Sequence, residues 1–230
     1  MNWKVAIKQK IPPFILNRFL LAFPFLYRTK LVNYETNLES NFGIEDLLSQ
    51  LGFVLDVKGN IIECGSSRCG ATVIMANYLR SRGTHKTIYA CDSFEGFRLS
   101  ELNKERKLNL TKALDEAFTS TSYEYVKRKI KKLGVDDIAV PVKGFFQDTL
   151  AQINSDFCFA LIDCDLKDSL VYCAEVIWPN LASNGRMVFD DYTNEYFKGA
   201  RLGVELFINK YKNEISESGL LNRLYYVCKK

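Results

Sequence analysis

The sequence predicts an α/β protein built around a mainly parallel sheet, with helices on its faces and a helical arm at its N-terminus. Two observations carry that reading. Short apolar runs alternate with stretches of helical periodicity from about residue 60 onward. Glu63, Asp92, Asp163 and Asp190 each stand at or near the C-terminal end of such a run. In open α/β sheets that edge is where ligands bind, so acids repeated there point to a site.

The elements follow in order. Residues 60–65 read as a short buried strand ending at a glycine, and 71–80 as a helix ending near Gly83. Residues 87–92 read as a second strand that closes on an acid. Residues 98–122 are polar and carry no strand signal. A basic helix over 123–133 is stopped by Gly134, and 138–142 form a third strand. Residues 156–163 form a fourth strand, apolar up to its terminal Asp. A helix over 169–181, a fifth strand over 187–190, a helix over 200–211 and a strand over 223–228 complete the chain. The sheet reaches seven strands if the C-terminal region supplies a β-hairpin. The chain divides into an N-terminal helical arm, 1–45, and a main domain, 46–230.

Composition narrows the function. With 230 residues, 47% hydrophobic and 25% charged, the chain can bury a core without disulfides or metals. A net charge of +4 is too small to argue for nucleic acid. Six cations, Lys4 to Lys30, precede the first acid, Glu35, which leaves −2 on the remainder. Residues 11–27 of that arm are rich in Phe and Leu but broken by Pro12, Pro13, Arg18 and Pro24, which speaks against a membrane span or signal peptide. The arm reads as a cover over a site or a homo-oligomer contact, ahead of a membrane-surface segment. Seven cysteines without a C-x-x-C pair and a single histidine, His85, make poor material for zinc. Cys64, Cys91, Cys158 and Cys164 read as core thiols of a cytoplasmic protein. His85 lies in a turn, which sets aside hydrolases that need a histidine base.

Glu63-Cys-Gly-Ser-Ser-Arg-Cys-Gly70 places glycines at a strand-to-helix turn, where backbone can approach a ligand. It lacks the Lys-Ser/Thr of a P-loop and is not G-x-G-x-x-G. Asp92, one β-α unit later, can accept hydrogen bonds from both ribose hydroxyls of an adenosine. In Lys143-Gly-Phe-Phe-Gln-Asp-Thr-Leu150, Phe146, Gln147 and Asp148 could hold an adenine, although Asp148 could equally cap a helix. Asp163 and Asp165 end the fourth strand, and Asp190 and Asp191 the fifth. If these strands are neighbours the acids repel, and a divalent cation removes that penalty. All-oxygen ligation suits Mg²⁺, Mn²⁺ or Ca²⁺ rather than zinc.

Together these motifs resemble the macrocin O-methyltransferase (TylF-like) family of class I S-adenosylmethionine-dependent methyltransferases. The family pattern runs E-x-G-x-x-x-G-G, D-S-F-x-G, K-G-x-F-x-D-T-L, D-x-D-x-Y and G-G-x-x-x-x-D-D-Y. The likeness runs from about residue 60 to 211. It implies a Rossmann-like methyltransferase fold and methylation of a hydroxyl on a small molecule, a sugar of a glycosylated natural product or surface glycan. It implies S-adenosylmethionine held by Glu63, Cys64, Gly65, Ser67 and Gly70, by Asp92 and Ser93, by Phe146, Gln147 and Asp148, and by Asp163. It further implies Mg²⁺ (or Mn²⁺) on Asp163, Asp190 and Asp191, with Asp165 as general base. Cys69, Asn184 and Lys167 depart from the pattern, where the family has Gly, Gly and Tyr. A methyltransferase of catechols or other diols and a catalytically idle nucleotide-binding scaffold are the alternative readings.

Overall fold

The computed structural model describes residues 34–36, 38 and 43–230. The expected arm over 1–45 lies almost wholly outside these residues. A helix α1 (Gly43–Gly52) leads into a seven-stranded sheet of β1 (Asn60–Cys64), β2 (Ile88–Asp92), β3 (Ala139–Lys143), β4 (Phe157–Ile162), β5 (Leu181–Phe189), β6 (Ile215–Leu221) and β7 (Leu224–Lys229). Between them lie α2 (Gly70–Ser81), α3 (Leu99–Lys107), α4 (Tyr123–Lys132), the single turn α5 (Phe146–Thr149), α6 (Lys167–Ile177) and α7 (Lys198–Tyr211). The strand order is β3-β2-β1-β4-β5-β7-β6. All pairs are parallel except those made by β7, which runs antiparallel to β5 and β6. No described helix is long and apolar enough to cross a membrane.

Strand alternation sorts the core into two layers. Ile61, Phe159, Leu161 and Val188 face a layer made with Leu47 and Leu51 of α1, Ile74 of α2 and Val126 of α4. Ile62, Ala160, Ile162 and Phe189 face Leu170 of α6, Phe207 of α7 and Trp178. All seven cysteines are free and buried, as core thiols should be.

Three elements differ from the sequence reading. Helix α1, whose Leu47 and Leu51 are buried, is absent from it, and two others carry no apolar pattern. Helix α3 lies inside the stretch read as polar and irregular, because Leu102 is the one apolar side chain it buries. Strand β6 has no fully buried residue and no apolar alternation to reveal it. It is an edge strand joined to β7 through Asn222-Arg223, with Asn222 in the left-handed region at φ 47. The hairpin supplies the sixth and seventh strands.

The reversal of the strand order places β1 beside β4, and their C-terminal ends meet. Cys64 pairs with Ile162, and the amide of Asp163 donates to the carbonyl of Cys64 at 2.8 Å. A Cβ on Gly65 would sit 1.7 Å from the carbonyl oxygen of Asp163. Gly65 and Gly83 both have left-handed φ, +88 and +65, but nothing lies within 4 Å of a Cβ built on Gly83. Gly83→Ala should therefore cost only the backbone preference, about 1–2 kcal/mol. Gly65→Ala adds a collision with backbone. Urea denaturation should show Gly65→Ala losing at least about twice as much stability as Gly83→Ala; equal losses would contradict the close contact.

Candidate active site

One cavity of about 810 Å³ opens along the C-terminal edge of the strands, at the reversal. Gly65, Ser66, Ser67, Gly70, Asp92 and Ser93 line one end, and Asp163, Asp165, Asp190 and Asp191 line the other.

The first end is built by the turns after β1 and β2. The turn after β1 wraps with Ser67 and Cys69 in left-handed conformations, φ 45 and 53. Cys69 thus adopts this backbone in place of the family's glycine, with its thiol wholly buried. Asp92 ties the two turns together: Oδ2 accepts from the Ser67 amide at 2.8 Å and Oδ1 from the Phe94 amide at 2.6 Å. Burial raises its pKa in spite of these bonds. Each oxygen keeps a second lone pair for a ligand hydroxyl. Ser93 donates to the carbonyl of Gly96 at 2.7 Å. Glu63 is 2% exposed and accepts a hydrogen bond from the Thr72 hydroxyl. Burial pushes its pKa up to about 7. Ser66 Oγ, buried on the cavity wall, has no protein partner.

Three residues expected at the cofactor do not line the cavity. Cys64 is fully buried in the sheet core, away from the cavity lining. Gln147 turns aside to donate to Glu101 at 2.9 Å, and Asp148 pairs with Arg98 at 2.9 Å and is no helix cap. Phe146 does line the cavity, together with its neighbour Phe145, over which the Arg98 guanidinium stacks at 4.4 Å.

At the second end the four acids separate into two groups. Asp163, Asp165 and Asp191 each offer an oxygen, and these oxygens lie within 4.8 Å of one another. Asp190, expected among the metal ligands, is instead gripped by Arg223, with Nε at 2.7 Å from Oδ1 and Nη2 at 2.6 Å from Oδ2. Arg223 Nη2 also lies 3.5 Å from Asp191. Burial, reinforced by the neighbouring carboxylates, pushes Asp163 and Asp165 well above the usual carboxylate range. Asp190 is raised to about 6 by burial and Asp191, against the opposing pull of Arg223. Asp165 and Asp191 both hold left-handed backbone, φ 58 and 61, of the kind that clusters at functional sites. Asn194 donates to Asp191 Oδ1 at 2.7 Å and orients it.

Sequence reading missed the role of Arg223, which opens the strand read over 223–228, because its partner Asp190 is remote in the sequence. It also missed a polar clasp beside the cavity. Glu35 accepts from Tyr125 at 2.6 Å, Lys129 at 3.0 Å and Arg68 at 2.7 Å. Against the upward push of burial, those bonds hold its carboxyl at about 2. Lys129 also donates to the carbonyls of Tyr34 at 2.7 Å and Arg68 at 2.6 Å, so it binds the chain around 34–36 to the turn after β1.

The chain is similar to known proteins. The family described as Macrocin-O-methyltransferase (TylF) matches residues 45–220. A Streptomyces olivaceus protein, 8-demethyl-8-(2,3-dimethoxy-alpha-L-rhamnosyl)-tetracenomycin-C 4'-O-methyltransferase, is 28% identical over 59% of this chain and 54% of its own. Demethyldecarbamoylnovobiocin O-methyltransferase of Streptomyces niveus is 27% identical over 70% of this chain and 64% of its own. The matched stretch thus spans less than two thirds of either relative. Among solved structures, the O-methyltransferase NovP superposes with a TM-score of 0.71 at 22% identity, covering 81% of this chain and 79% of that one. The calicheamicin methyltransferase CalS11 superposes with a TM-score of 0.66 at 20% identity, covering 99% and 93%. Both are likenesses of fold.

The buried Glu63 sets a pH test. Its folded pKa of about 7 exceeds the ordinary 4.5, so the folded state binds the extra proton between those values. Stability from this group is full below pH 4.5 and falls as pH rises to about 7. Glu63→Gln keeps an acceptor for Thr72 and removes the buried charge. Its melting temperature should match the parent at pH 4.5 and exceed it at pH 8, as followed by thermal denaturation across that range. A difference independent of pH would remove Glu63 as the titrating group.

Proposed function

The chain belongs to the macrocin O-methyltransferase (TylF) family, and on that premise we propose that it transfers the methyl group of S-adenosylmethionine to a hydroxyl of a glycosylated small molecule. The observation that supports this most is a single cavity with Asp92 at one end and the carboxylates of Asp163, Asp165 and Asp191 at the other.

Asp92 takes the ribose hydroxyls on oxygens already fixed by the Ser67 and Phe94 amides. Gly65 lets the cofactor lie on bare backbone, and Ser66 supplies an unclaimed hydroxyl. The sulfonium methyl is already activated, so the protein's main task is to hold the acceptor oxygen behind it. Such alignment is worth roughly 7–11 kcal/mol. The relatives named for methylation of tetracenomycin and novobiocin intermediates support a glycoside acceptor.

The acid cluster fits a hard divalent cation. Arg223 offsets one of four clustered carboxylates, two buried and two half-buried, and the other three converge as an all-oxygen donor set. Bound there by Asp163 and Asp191, Mg²⁺ or Mn²⁺ would lower the pKa of an acceptor hydroxyl. Asp165, whose carboxylate lies beside those two, is our choice for the group that collects the hydroxyl proton. Asp190 holds Arg223, and we assign it a supporting role in the cluster.

Two outcomes follow. Asp92→Ala should weaken S-adenosylmethionine binding by about tenfold or more with the fold intact, since lost bonds to a charged group cost roughly 1.5–3 kcal/mol. Calorimetry showing unchanged affinity would remove the ribose role. Chelator should abolish methyl transfer to a glycoside acceptor and Mg²⁺ should restore it, while Asp165→Asn at saturating Mg²⁺ should lower turnover by roughly 10²–10⁴-fold. Full activity in chelator would sink the metal assignment, and normal turnover in Asp165→Asn would reject it as the base.

A further inference from the structure

Helix α4 turns a basic face to solvent at the β3 edge of the sheet. Val126 and Ile130 point into the core beside Ile138 and Ala139. The opposite side shows Glu124, Tyr125, Lys127, Arg128, Lys131 and Lys132, all exposed. Glu124 pairs with Lys127 at 2.7 Å, and Arg128, Lys131 and Lys132 have no ion pair among the described residues.

The fold does not need this charge. Arg128 stands three and four residues from Lys131 and Lys132, and Lys127 four from Lys131, spacings at which like charges repel on a helix. The helix dipole favours cations in the last turn, at Lys131 and Lys132, and leaves Lys127 and Arg128 unexplained.

A second basic stretch enters the fold at the same helix. Residues 1–33 carry the six cations from Lys4 to Lys30 and no acid, with four Phe and four Leu between residues 14 and 26. Where that stretch joins the described chain, Lys129 of α4 donates to the Tyr34 carbonyl at 2.7 Å, and Tyr125 of α4 donates to Glu35 at 2.6 Å. The sequence alone ranks a membrane-surface arm behind a cover or a homo-oligomer contact. The basic face beside its root reverses that order.

The partner that fits is polyanionic and takes up apolar side chains. A bilayer with anionic headgroups does both: each Lys or Arg near its surface strengthens binding by about fivefold, and Phe and Leu bury at the acyl boundary. Nucleic acid supplies the charge, but its bases stack on aromatic rings and offer nothing to the four Leu.

We propose that the chain docks on an anionic membrane surface, with the outer face of α4 and the basic N-terminal stretch against the headgroups. The proposal stands apart from the methyl-transfer reading. Glu35 and Arg68 line the cavity, and Glu35 is bonded to Tyr125 and Lys129 of α4, so docking sets that end of the cavity near the bilayer.

The test is co-sedimentation of the full chain with vesicles of phosphatidylcholine alone and of phosphatidylcholine with about one third phosphatidylglycerol, in about 0.1 M salt. Partition should be about tenfold or more stronger on the anionic vesicles and should fall at about 1 M salt. The triple variant Arg128→Gln, Lys131→Gln, Lys132→Gln should lose about tenfold or more in partition, with its melting temperature equal to the parent's or higher. Lys210→Gln, Lys212→Gln, Lys230→Gln makes the same charge change near the opposite, β6, edge of the sheet and should lose far less. Equal partition on the two vesicles, or equal losses in the two triple variants, overturns the proposal. So does stronger binding to poly(U) RNA than to the anionic vesicles at the same salt and phosphate concentration.

Discussion

The contact between Gly65 and the backbone of Asp163 is the constraint on which the site depends. Two parallel strands that leave the sheet in opposite connections end side by side, and the absence of a side chain at Gly65 lets their turns touch. One turn carries the loop closed by Asp92, and the other carries the acids. Any separation of the two would enlarge the gap between a bound cofactor and the group it must reach. Alignment contributes so much of the catalysis of methyl transfer that this distance outweighs any single polar contact.

Around that contact the electrostatics are deliberately uneven. Four carboxylates within one buried edge repel, and Arg223 reaches in from the far hairpin to neutralise Asp190. The remaining three stay close together, and burial and the neighbouring carboxylates favour the protonated form of Asp163 and Asp165. The edge hairpin therefore does more than complete the sheet. It decides which acids are available.

Much of this was legible in the residues. Periodicity placed the five parallel strands and α2, α4, α6 and α7, because each buries an apolar face. Acids at strand ends marked the edge that carries the cavity, since polar residues that terminate apolar runs have few other reasons to be there. What stayed hidden obeys different physics. Helix α3 and strand β6 bury almost nothing, so no hydrophobic pattern announces them. The partners of Gln147, Asp148 and Asp190 are side chains distant in sequence, at Glu101, Arg98 and Arg223. Long-range pairing of this kind leaves no local spacing to read.

The loop with Phe118 leaves and rejoins the scaffold between α3 and α4. It is held by main-chain pairing with the start of α7, by Arg106 on Ala113 and Asp115, and by Arg68 on Ser120. Part of the cavity wall and the strand ends that carry the acids thus belong to separate stretches of polypeptide. Descendants of such a chain could trade one loop for another and acquire a new taste in molecules while the chemistry beneath is inherited whole.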